Sequence, residues 1–129
     1  MLNLVTSLYF MLFLQTTPAE VVQKQLDTYN ARDIQGFMSV MSDDVALFEL
    51  SNTKASAAGF AEVKSIYTQL FNNSPALHSN LLNRMVMGNK VVDHERITGR
   101  NGLKEAIELV VIYELNDKMK INRITVLRP

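Results

Sequence analysis

His78, Arg84, Asp93 and Glu95 fall in two β-rich runs that flank Gly88-Asn89. A Gly-Asn pair between two such runs is a two-residue hairpin signal. With that turn, Arg84 faces Asp93 and Leu82 faces Glu95. Facing residues share one side of a sheet, and so do residues two apart. One face then carries His78, Arg84, Asp93 and Glu95 among apolar neighbours. If that face lines an enclosed space, its charges lose their water and must pair. A carboxylate there gains a raised pKa suited to general-base work. The ordinary alternative is a cross-strand ion pair of Arg84 with Asp93 or Glu95, which contributes only about 0–1 kcal/mol at a surface.

Two further residues are candidates. Glu49 sits near a strand end between Phe48 and Leu50, either as a base or as a solvent-facing strand residue. Tyr29 lies on the apolar side of a helix, where a tyrosine hydroxyl either finds one core partner or donates to a ligand. His94 pairs with Asn83 on the other side of the hairpin and reads as a structural or interface residue. No His-Glu-x-x-His or comparable ligand spacing occurs, so no metal site is expected.

The elements that would position these groups are readable in order. Thr17 can N-cap a helix, with Pro18 in its first turn and Glu20 closing a capping box. Val22, Leu26 and Tyr29 then make one apolar face. A short second helix is expected over Ile34 to Met41, ended by Ser42-Asp43-Asp44. Val45 to Leu50 reads as a strand and 51–59 as a loop. A third helix follows over Phe60 to Phe71, closed by Asn72-Asn73-Ser74-Pro75. Strands are expected over 77–87, 90–98, 105–115 and 120–127, with a loop at Gly99 to Gly102. Helices followed by an antiparallel meander give an α+β domain with the helices on one face of the sheet.

The chain has 129 residues, enough for one core. Lys+Arg and Asp+Glu are both 13, which argues against a nucleic-acid partner. No Gly-rich phosphate loop appears, and no cofactor is expected. The absence of Cys excludes thiol catalysis, disulfides and Cys-based zinc sites. Residues 1–16 stand apart, because Leu8 to Leu14 is an uncharged apolar run. It is too short for a membrane span of about 20 residues, so no stable membrane insertion is expected. It suits the apolar stretch of a signal peptide, although no Lys or Arg precedes it. Export follows from that reading. A cytoplasmic location follows if residues 1–16 are instead an N-terminal appendage of the domain at 17–129.

The order of elements, and particular strings, resemble the nuclear transport factor 2-like superfamily in its SnoaL-like, steroid delta-isomerase-like branch. Tyr29-Asn30-Ala31-Arg32-Asp33-Ile34 with Phe37 and Asp43-Asp44-Val45 resembles the opening of SnoaL-like domains. Leu77-His78, Asn83-Arg84 and Val92-Asp93-His94-Glu95-Arg96-Ile97-Thr98-Gly99 resemble the steroid-isomerase-like branch. The resemblance implies a cone-shaped, cystatin-like fold, with three N-terminal helices on the concave face of a strongly curved antiparallel sheet. It also implies a deep pocket, His78 near its opening, and often a homodimer through the outer sheet face. Carrying the ketosteroid isomerase residues across without gaps puts the general base on Glu49. The oxyanion-hole tyrosine falls on Gln25, with Tyr29 one turn further on. The protonated acid of that hole falls on Val111, which cannot donate, so steroid isomerisation is not expected.

Three readings stay open at this point. The first is an enzyme transferring a proton beside the carbonyl of a small apolar molecule. Glu49, Asp93 or Glu95 would be the base, and Tyr29, His78 or Arg84 the donors. The second is a binding protein that holds such a molecule without turnover. The third is a dimeric interaction domain whose cone is filled by side chains.

Overall fold

The computed structural model describes residues 15–129, so most of the apolar N-terminal segment lies outside the described residues. Helix α1 (Pro18–Ala31) starts as its sequence dictates, with the Glu20 backbone N–H donating to Thr17 Oγ1 at 3.2 Å. It ends at Arg32, whose φ of 53° is left-handed. Helix α2 (Ile34–Met38) is capped by Asp33, which accepts from the Gly36 N–H at 3.1 Å. The sheet strands are β1 (Met41–Glu49), β2 (Ala57–Ala58), β3 (His78–Met87), β4 (Lys90–Thr98), β5 (Ile107–Leu115) and β6 (Ile121–Leu127). Helix α3 (Phe60–Asn73) lies between β2 and β3, and a 3-10 turn (Arg100–Gly102) follows β4.

The strand order is β2-β1-β6-β5-β4-β3. The meander from β3 to β6 is antiparallel, but β1 runs parallel to β6. The sheet is therefore mixed. β1 is laid down before the meander, and β6 returns alongside it in the same direction. Ser42-Asp43-Asp44 does not end a helix. It lies inside β1, where Ser42 Oγ donates to Asp44 Oδ1 at 2.7 Å. Part of the expected loop also pairs, since Ala57 and Ala58 lie against Leu47 and Ala46.

Register breaks between Met41 and Ala46, Leu81 and Asn83, and Glu114 and Leu115 bend the ladder, as extra residues on one strand do. The helices fill the resulting hollow. Phe37, Val22, Val45, Val63, Val91 and Ile121 are fully buried there. Tyr29, Phe37, Tyr67 and Phe71 interlock, with ring centroids 4.4 to 6.3 Å apart. Asn30 clips α1 to the start of β3, as its Oδ1 accepts from the Ser79 N–H at 2.7 Å and its Nδ2 donates to the Ser79 carbonyl at 3.0 Å.

Candidate active site

The hairpin places the charged residues, and one irregularity decides which of them face inward. Gly88 takes the φ of 59° that the tight turn requires. Arg84 then faces Asp93 as the turn dictates. Beyond that point Leu82 is extra, so Leu81 rather than Leu82 faces Glu95. The slip turns Ser79 inward, where it is 2% exposed. His78 and Asn80 turn outward and meet each other at 3.2 Å in solvent. His78 therefore does not border the pocket. A one-residue slip reverses every side chain beyond it.

The cavity has a volume of about 270 Å³ and lies between α1, α3 and the concave face of the sheet. Its apolar wall includes Leu47, Ile97, Leu109, Val111, Ile124 and Val126. Its polar groups are Gln25, Tyr29, Glu49, Tyr67, Glu95, Tyr113, Ser56, Arg100 and Arg128. That is just below the roughly 300–1,000 Å³ usual for ligand sites.

Glu95 is the buried carboxylate of this cavity, at 5% exposure. Among the described residues its Oε1 has no hydrogen-bond partner, and neither has Oε1 of the buried Gln25. Burial raises the Glu95 pKa from 4.5 to about 7, and the negative charge of Asp93 adds to the rise. The hydroxyls of Ser79 and Tyr113 and the Arg84 guanidinium pull in the other direction. The tyrosines stay protonated at neutral pH. Burial lifts Tyr67 to about 12 and raises Tyr29 and Tyr113 well above their usual range. The site thus combines a buried carboxylate of raised pKa with several neutral O–H donors.

Asp93 and Arg84 stand behind the site and do not line it. Asp93 is fully buried, and both of its oxygens are taken by Arg84, from Nε at 2.7 Å and Nη2 at 2.9 Å. Arg84 Nη1 also donates to Gln23 Oε1 at 2.8 Å. A carboxylate held in this way cannot act as a free base, and its partner cannot reach a ligand. Their influence on the cavity passes through the Asp93 charge next to Glu95. Glu49 does line the cavity, but both of its oxygens lie 3.2 Å from Arg128 Nε, and the two side chains are more than a third exposed. His94 pairs with Glu108 on the outer face. Tyr67, Tyr113, Arg100 and Arg128 were not singled out from sequence, where nothing separates a pocket tyrosine from a core one.

The sequence matches the SnoaL-like domain over residues 22–124. The chain belongs to the SnoaL-like domain family. No curated protein matches it. Among solved structures, a cystatin-fold protein from Novosphingobium aromaticivorans superposes with a TM-score of 0.81 at 21% identity, covering 88% of this chain and 100% of its own. A ketosteroid isomerase-like protein from Kribbella flavida gives 0.75 at 18% identity, covering 87% and 77%. A protein of the SnoaL-like polyketide cyclase type from a Jannaschia species gives 0.72 at 20% identity, covering 84% and 83%. At these identities the likenesses establish the cystatin-like fold. In this SnoaL-like domain Gln25, Glu49 and Val111 are the residues on which the resemblance to ketosteroid isomerase led one to expect that enzyme's site. All three line the cavity, but the buried carboxylate stands on β4 at Glu95. Among the described residues no three His, Cys, Asp or Glu side chains converge as a metal site would require. No described helix is long and apolar enough to cross a membrane.

Proposed function

We propose that this SnoaL-like domain transfers a proton beside the carbonyl of a small, mainly apolar molecule held in the cavity, with Glu95 as the base. The observation that carries this reading is the unpartnered Oε1 of Glu95, buried at the wall of an apolar cavity. A carboxyl group with a pKa near 7 is both ionised often enough to accept a proton and basic enough to hold it. As the α-proton leaves, charge develops on the carbonyl oxygen. Protonated Tyr29, Tyr67 and Tyr113 and the amide of Gln25 are the donors available to meet it. This constellation differs from the one aligned with ketosteroid isomerase, because Val111 supplies no acid.

The test is hydrogen–deuterium exchange. A panel of enolisable ketones is incubated with the protein in deuterated buffer, and loss of the α-proton signal is followed by proton NMR. The wild type accelerates exchange of at least one ketone, and Glu95→Gln lowers that rate by about 10²–10⁴. Ketones that bind equally to both proteins but exchange in neither would make the domain a binding protein without turnover.

Self-association belongs on the outer face. Met85 and Met87 of β3 are 54% and 70% exposed there, beside His94 and Glu108. A dimer on this face would lose its association constant on Met85→Lys, read by sedimentation equilibrium.

A further inference from the structure

The cavity holds two guanidinium groups and two carboxylates. Arg128 and Glu49 pair with each other, and Glu95 is the buried titratable group. Among the described residues Arg100 has no carboxylate within ion-pair distance. It is half-buried, lines the cavity, and its charge is felt at the hydroxyls of both Tyr29 and Tyr67.

Its backbone is fixed tightly. Gly99 has a φ of 73° and Asn101 a φ of 50°, the left-handed conformation that Gly and Asn adopt most readily. A Cβ on Gly99 would sit 2.2 Å from the Ala76 carbonyl oxygen, so the turn presses directly on the segment after α3. The Asn101 N–H donates to Oγ of the fully buried Ser74 at 2.8 Å, and the Leu103 N–H to the Arg100 carbonyl at 3.0 Å. β4 ends at Thr98, about 10 Å along the strand from Glu95, and the turn begins beyond it.

We infer that Arg100 receives the carboxylate of the ligand, so that the substrates are small apolar acids carrying their reactive carbonyl away from the acid group. This rests on the proton-transfer reading for the role of the far end, but the anionic end stands on Arg100 and the cavity. A guanidinium meets a carboxylate through a planar fork of donors. With Glu49 already engaged by Arg128, a ligand carboxylate has no competing acid at Arg100. A neutral ketone would leave that guanidinium without an anionic partner. A carboxylate at the Glu95 end would instead meet a like charge.

The experiment uses matched acid and amide pairs, namely the 3-phenylpropanoate, 4-phenylbutanoate and 4-oxo-4-phenylbutanoate ions with their carboxamides. Kd is measured by isothermal titration calorimetry on the full chain. At least one acid binds the wild type tenfold or more tightly than its amide. Arg100→Gln brings the two within about twofold while leaving the amide unchanged, and Arg100→Lys keeps part of the preference. Equal binding of acids and amides, a preference that survives Arg100→Gln, or no binding by any member of the panel overturns the assignment. Failure of the Glu95 reading is seen separately, as ketone exchange in deuterated buffer that is unaffected by Glu95→Gln.

Discussion

Replacing Glu95 with Gln should remove most of a pH dependence that the wild-type fold carries between pH 5 and 8. The carboxyl is protonated in both folded and unfolded chains below about pH 4.5. As pH rises toward 7 the unfolded chain loses this proton first, because burial holds it on in the fold. The folded state then binds more protons, so stability falls with rising pH and levels off above about 7. A rise from 4.5 to about 7, at about 1.4 kcal/mol for each tenfold change in proton affinity, amounts to at most about 3–4 kcal/mol. The group is 5% exposed, so solvent screens little of this. Gln keeps the shape and cannot ionise, although its amide needs partners that the carboxylate did not. The assay is urea unfolding of both proteins at pH 5 and pH 8. Far-UV circular dichroism is the probe, since the chain has no Trp. The wild type should lose about 2–3 kcal/mol more than the variant between the two pH values. Equal losses would show that Glu95 ionises as a solvated carboxylate does, which would refute its burial beside the cavity.

Two further outcomes follow from the ion pairs. Arg84→Ala leaves the fully buried Asp93 without its partner and should cost about 3–5 kcal/mol in urea unfolding, while Arg84→Met combined with Asp93→Leu should recover most of that loss. Glu49→Gln breaks a pair whose members are more than a third exposed. It should change stability by less than about 1 kcal/mol and leave α-proton exchange within about threefold of wild type. A loss of exchange comparable to that of Glu95→Gln would move the base to Glu49.

Local signals carried most of the fold into the sequence. The Thr17-Pro18-x-Glu20 start, the apolar spacing of Val22, Leu26 and Tyr29, and the Gly88-Asn89 turn each act within a few residues, and each is found where its chemistry places it. The parallel partnership of β1 with β6 left no such trace, because it depends on where the chain returns. The site was legible only in part for the same reason. Counting back from the turn places Arg84 opposite Asp93, but the extra residue at Leu82 sits in an apolar Leu81-Leu82 pair with no Gly or Pro to mark it. That single bulge exchanges His78 for Ser79 on the inner face. Tyr67 and Tyr113 read as core residues because core and cavity wall share one apolar stripe. Only the curvature of the sheet separates them. Arg100 lay in what reads as a plain loop, and its orientation comes from contact with Ala76 and Ser74, more than twenty residues earlier in the chain.

The central claim is that Glu95 is a carboxyl group poised between acid and base at neutral pH. Its most direct test is a carbon NMR titration of side-chain carboxyls in protein labelled at glutamate, with Glu95→Gln used to assign the resonance. The account predicts that one carboxyl titrates near pH 7 and disappears in the variant. If every glutamate carboxyl has titrated by about pH 5, Glu95 is an ordinary acid, and the proposal that it is a base tuned for proton transfer at neutral pH fails.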